Sequence, residues 1–221
     1  MKSGFVSRQF PERTTLIAEG GDALSHADLC QAIERLASVL PERQLVFIVG
    51  GNDVPSVLCY LASLEKGAVP LLLGRGIDEA QLERLVATYD PSYIFVSRKA
   101  ASEQSVGTLT HEEGAYGLYR RDGAALHALH PDLALLMTTS GSTGSPKLVC
   151  LSAENLHANA ASIANYLSIT HEERAITSLP FNYSYGLSVI NSHLLAGASI
   201  VLTDRSLMDA AFWRQINEHH R

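Results

Sequence analysis

Apolar positions along this chain fall into two kinds of pattern. Short, mostly apolar blocks recur at 45–49 (LVFIV), 67–73 (GAVPLLL), 93–96 (YIFV), 133–137 (LALLM), 148–151 (LVCL), 175–179 (AITSL) and 197–202 (GASIVL). Blocks of this length without alternation suit strands covered on both faces. Between them, apolar residues return at helical spacing: Leu29, Ile33, Leu36 and Leu40; Val54, Leu58, Leu61 and Leu64; Leu82, Leu85 and Val86. The same spacing reappears at Leu156, Ala160, Ile163 and Leu167, and again at Leu187, Ile190, Leu194 and Leu195. Start signals agree. Ser25 with Asp28, Asn52 or Asp53 with Pro55, Asp78 with Gln81, and Ser152 stand where helices would open, and Pro41 stops the first of them.

Strand and helix alternate with short connections, which predicts right-handed crossovers and an α/β fold of mainly parallel sheets flanked by helices. Residues 1–97 form a first α/β segment, 98–131 an irregular polar connection with one or two short strands between the halves of the sheet, and 132–221 a second α/β segment. The last helical pattern is carried by Leu207, Phe212 and Ile216.

One stretch between two predicted strands is neither apolar nor helical. Thr138 to Lys147 reads TTSGSTGSPK. Such a strand–loop–strand can turn backbone N–H groups inward as an anion cradle, with glycine permitting the wrap, hydroxyls adding donors and Lys147 adding charge. A Walker A loop needs glycine before the lysine, Ser or Thr after it, and a helix. Here Pro146 precedes Lys147 and Leu148 follows, so the usual ATPase and GTPase reading is excluded. An ordinary Ser/Thr/Gly-rich hairpin stays open on composition alone.

Composition narrows the classes further. Of 221 residues 46% are apolar and 18% charged, which is globular. A formal charge of −6 with no long basic stretch argues against nucleic acid as the main partner. Three scattered cysteines suit a reducing, cytoplasmic compartment, and no apolar run is long enough to span a membrane. Gly50-Gly51-Asn52 lacks the third glycine of a dinucleotide fingerprint and reads as a structural turn. His111, Glu112 and Glu113, like His127 and His130, read as solvated loop rather than metal ligands.

The ordered string from Thr139 to Lys147 resembles the phosphate loop of the adenylate-forming enzymes: acyl-CoA synthetases, luciferases and nonribosomal peptide synthetase adenylation domains. It departs from their pattern at Leu148, where glycine is usual. Lys66 to Leu72 resembles the family's Gly-Ala-Val/Ile strand. Pro180–Gly186 (PFNYSYG) resembles the motif lining the acyl side of the site, with Tyr183 at the usual histidine position and Tyr185 at the later aromatic one. A phenol with an ordinary pKa near 10 does not duplicate a charged imidazole.

The resemblance implies the N-terminal subdomains of that fold, and a parent enzyme that adenylates a carboxylic acid with ATP and Mg2+, releasing pyrophosphate. The acyl group then passes to a thiol of coenzyme A or a carrier protein's phosphopantetheine arm. It assigns phosphate binding to Thr139, Ser140, Gly141, Ser142, Thr143, Gly144 and Lys147, and the acyl pocket to Tyr183, Tyr185 and Gly186. The family's acidic magnesium-associated residue, ribose-binding aspartate and adenylation lysine match nothing here. No catalytic residue or metal ligand is therefore assigned, and the isolated chain is expected to turn over poorly or not at all. A naturally short, non-catalytic nucleotide-binding or scaffolding relative is the alternative.

Overall fold

The computed structural model describes residues 4–101, 106–124, 126–138 and 147–219. In chain order its elements are β1 (Thr14–Ile17), β2 (Ala23–Ser25), α1 (His26–Val39), β3 (Leu45–Gly50), α2 (Val54–Lys66), β4 (Val69–Gly74), α3 (Glu79–Tyr89) and β5 (Tyr93–Ser97). There follow β6 (Thr108–Glu113), β7 (Tyr116–Arg120), β8 (Leu133–Thr138), β9 (Leu148–Ser152), α4 (Ala153–Tyr166), β10 (Arg174–Ile176), α5 (Ser184–Ala196), β11 (Ser199–Val201) and α6 (Ala210–His219).

Local chemistry accounts for the helix boundaries. Ser25 accepts the Asp28 N–H while the Asp28 carboxylate accepts the Ser25 N–H, and Ser152 and Asn155 repeat the reciprocal box at α4. Asp53, rather than Asn52, caps α2, its carboxylate accepting from Ser56 N at 2.8 Å. Asp78 does the same for α3 through Gln81 N. Leu40 is extended, as the residue before Pro41 must be, and α1 stops there.

Two sheets result. One has seven strands in the order β6-β7-β5-β3-β4-β8-β9, parallel from β5 through β8 and antiparallel at both flanks. The other has four, β10-β11-β1-β2, and pairs β1 with β11 in parallel from opposite ends of the chain. The sheets are thus mixed, with parallel centres. The β6–β7 hairpin also lies at the outer edge beside β5, not between halves of the sheet as expected for residues 98–131. Pairing to β5 satisfies its backbone, and Tyr116 and Leu118 bury their side chains there.

The period-2 geometry of β3 explains its unbroken apolar run. Val46 and Ile48 face one core and Leu45, Phe47 and Val49 the other. The second of these cores lies under α3. The first joins the seven-stranded sheet, α1, α2, α4 and α5 to Leu16 and Ile200 of the four-stranded sheet. Consequently α2 is not the one-striped helix the pattern suggested. Ser56 through Leu64 are all buried, as befits a helix enclosed on every side. At the far end Leu207 lies before α6 and is exposed, whereas Phe212 is buried. Among the described residues no helix is long and apolar enough to cross a membrane.

Candidate active site

Because β3, β4 and β8 are parallel neighbours, their carboxyl ends share one edge of the seven-stranded sheet. In open α/β sheets ligands are bound outside that edge. β8 ends there at Thr138, directly paired with Leu148 at the start of β9. Thr138 and Leu148, which flank 139–147, are therefore held one strand spacing apart, the hairpin mouth that a strand–loop–strand requires. Thr139, Ser140, Gly141, Ser142, Thr143 and Gly144 lie outside the described residues. Lys147 stands at the mouth with its side chain exposed. Hydroxyls, glycine N–H groups and an ammonium are the donor chemistry a polyphosphate needs. Among the described residues no group of three His, Cys, Asp or Glu side chains could hold a metal ion. His111 is 3.8 Å from Glu113, and Glu112 is engaged with Arg98 instead.

The segment 179–186 comes to the same edge. Phe181 is fully buried in the core that also holds Ile48. The Asn182 amide sits over Gly74, where an added Cβ would be 3.4 Å from it. Tyr183 is extended and precedes α5, its N–H donating to Pro180 O and its carbonyl accepting from Leu187 N, both at 3.0 Å. Tyr185 and Gly186 already belong to the first turn of α5. Gly186 has no alternative: a Cβ there would lie 2.2 Å from Pro180 O and 2.7 Å from Leu179 O. The rings of Tyr183 and Tyr185 stay outside, with the residues 55% and 64% exposed. The structure thus brings the hairpin mouth and the tyrosine-bearing turn to one edge of the sheet.

It also reveals a polar node that the motifs did not indicate. Asn52 N–H donates to Asp204 Oδ1 at 2.8 Å, and its side-chain Nδ2 donates to Leu179 O at 3.1 Å and Thr203 O at 3.0 Å. Arg75 pairs with Asp204 at 3.1 Å and with Asp53, and donates to Tyr116 OH at 3.2 Å. The Tyr116 hydroxyl in turn donates to Asp53 at 2.6 Å. Burial pushes the Tyr116 phenol up, and its hydrogen bond to Asp53 adds to this. Burial works against the Arg75 charge, but Tyr116, Asp204 and Asp53 outweigh it and hold the guanidinium above its ordinary value. The one sequence signal was Gly50-Gly51. A Cβ at Gly51 would meet Asp204 at 2.4 Å and Arg75 at 2.9 Å, so the pair marks a close approach rather than a nucleotide fingerprint.

Residues 6–221 match the family described as AMP-binding enzyme. An oxalate–CoA ligase of Arabidopsis thaliana is 27% identical, with 97% of this chain aligned to 47% of that protein. ATP-bound MatB from Rhodopseudomonas palustris superposes with a TM-score of 0.80 at 21% identity, covering 99% of this chain and 48% of the other. An o-succinylbenzoate coenzyme A synthetase (MenE) of Bacillus subtilis, solved with ATP and magnesium ion, gives 0.75 at 24% identity, covering 96% and 59%. The chain spans about half the length of the curated relatives it matches. At these identities the superpositions establish the fold.

Proposed function

This chain belongs to the AMP-binding enzyme family, and from that premise we propose that it is the phosphate-loop part of a ligase that adenylates a carboxylic acid. The carboxylate oxygen attacks the α-phosphorus of ATP, the bond to the bridging oxygen breaks, and pyrophosphate leaves. The product is an acyl-AMP mixed anhydride, from which the acyl group passes to a thiol of coenzyme A or a carrier protein. Charge builds on the departing pyrophosphate, so donors placed around the β- and γ-phosphates lower the barrier. That task falls to Thr139, Ser140, Ser142, Thr143 and Lys147, with Gly141 and Gly144 permitting the wrap. Magnesium, where bound with ATP, neutralises phosphate charge. Lys147 is a clamp and not a nucleophile.

The acyl side falls to Tyr183, Tyr185 and Gly186. Exposed phenols at that position stack on or hydrogen-bond a substrate but do not supply an imidazolium. The observation that carries this reading is the union, on one carboxyl edge, of the hairpin mouth at Thr138 and Leu148 with the tyrosine-bearing turn. The names of the relatives, acting on oxalate and o-succinylbenzoate, support a carboxylic acid as the substrate class.

The test is acid-dependent ATP–pyrophosphate exchange by the native gene product across a panel of carboxylic acids. Exchange with one acid class is expected, reduced about a hundredfold by Lys147→Ala. A folded protein that binds ATP but exchanges with no acid would overturn the proposal.

A further inference from the structure

We propose that Asn52 is a positioning residue for the acyl-side turn, holding segment 179–186 to the end of β3 while Asp204 and Arg75 lock Asn52 itself in place. The proposal rests on the adenylation reading for the meaning of that turn, but its geometry does not.

Asn52 is 5% exposed and lies at the junction of three chain segments. Both Nδ2 hydrogens are committed, one to the carbonyl where the turn begins, Leu179, and the other to Thr203 just beyond β11. Two carbonyl acceptors fix the amide orientation, since the reversed amide would set oxygen against oxygen. The Oδ1 atom is buried and has no hydrogen-bond partner among the described residues. What the arrangement secures is the location of Leu179 relative to β3.

The backbone of Asn52 is held as firmly as its side chain. Its N–H is bound to Asp204, and Asp204 is bound to Arg75, whose own N–H donates to Gly50 O at 2.7 Å. Gly50 and Gly51 admit this crowding, as a Cβ on either would strike Ser56 or Asp204. The turn then rests on two supports. Asn52 holds its first carbonyl, and Asn182 lies against Gly74 at the end of β4. Tyr183 and Tyr185 are thereby aimed from beneath, without a bond of the polar node to either phenol. The described bonds of Asn52, by contrast, do not run to β8 or β9, the strands that flank the proposed phosphate segment.

This asymmetry gives a signature that a general loss of structure does not produce. In the native gene product, Asn52→Asp keeps the shape but loses both donors. It is expected to raise KM for the acid about tenfold while leaving KM for ATP within about twofold. Hydrogen exchange should accelerate at the amides of Tyr183 and Leu187, not in β8. Asp204→Ala, at a more exposed position, loosens the same node and is expected to show a smaller effect of the same kind, with Asp204→Asn restoring the acceptor and most of the function. Equal rises in both KM values, or unchanged exchange at Tyr183 and Leu187 in Asn52→Asp and Asp204→Ala, would overturn the proposal. Failure of the adenylation reading is distinguishable, because the unaltered protein would then exchange no pyrophosphate. The hydrogen-exchange contrast would still decide the positioning role.

Discussion

At the scale of single residues, what decides the site is how closely backbone can approach backbone. Gly186 was legible as part of a motif, but the reason for it was not. Its missing Cβ lets the first turn of α5 fold against the carbonyls of Leu179 and Pro180. Gly186→Ala sets a methyl group against rigid backbone rather than a flexible side-chain tip. It should cost about 1–3 kcal/mol, read as a lower urea midpoint at unchanged slope. Gly21→Ala makes the contrast, since nothing lies within 4 Å of its Cβ position and only its positive φ of 92° opposes the change. A Gly186→Ala midpoint equal to the parent's would show that the turn yields. The meeting of Asn52, Arg75 and Asp204 was not legible, although Asn52 stood out as part of a turn. Each is an ordinary polar residue in its own neighbourhood, and their meeting depends on Asp204 reaching Asn52 from 152 positions away and pairing with Arg75.

Elements were read more successfully where their signals are local. Capping boxes are written within four residues, and Ser25 with Asp28 could be found before any packing was known. Burial is different, because it depends on what arrives from elsewhere. The stripe Val54, Leu58, Leu61 and Leu64 suggested one inner face for α2, yet Cys59, Tyr60, Ala62 and Ser63 are buried too. Their polar atoms are satisfied internally. Ser63 donates to Cys59 O, and Tyr60 and Asn191 exchange hydrogen bonds at 3.1 and 3.3 Å. Burial pushes the Cys59 thiol and the Tyr60 phenol up, so both stay neutral. An enclosed helix should tolerate truncation poorly. Leu61→Ala is expected to cost about 2–5 kcal/mol. Leu82→Ala, on the half-exposed α3, should cost less than half of that, and denaturant melts of the two variants make the comparison. Equal losses would mean that α2 is not the centre of the core.

For the whole molecule, the pairing of β1 with β11 is the feature no local reading supplies. Leu16 meets Ile200 in parallel register and so joins the two ends of the chain into one sheet. At the start of α1, His26 is 1% exposed, with Nε2 3.2 Å from the carbonyl of Gly197, the residue that caps the end of α5. Burial pushes the His26 imidazole below its ordinary 6.5, with Arg13 adding to this and the Gly197 carbonyl opposing it. Burial does the same to His193, against the opposing pull of Val189 O and Glu173. A depressed folded pKa means that the unfolded chain binds more protons in the window below 6.5. The stability these two groups contribute is therefore fully present above that value and is lost as pH falls through it. Carboxylates titrate lower, so between about pH 7.5 and 5 the histidines dominate the change. The urea midpoint should drop across this window. His26→Gln, which keeps a donor for Gly197 O but cannot take up a proton, should flatten the drop, and adding His193→Gln should flatten it further. Parallel pH profiles for the parent and the double variant would remove both histidines as its cause. The closure of the chain between β1 and β11 would then carry no acid sensitivity through them.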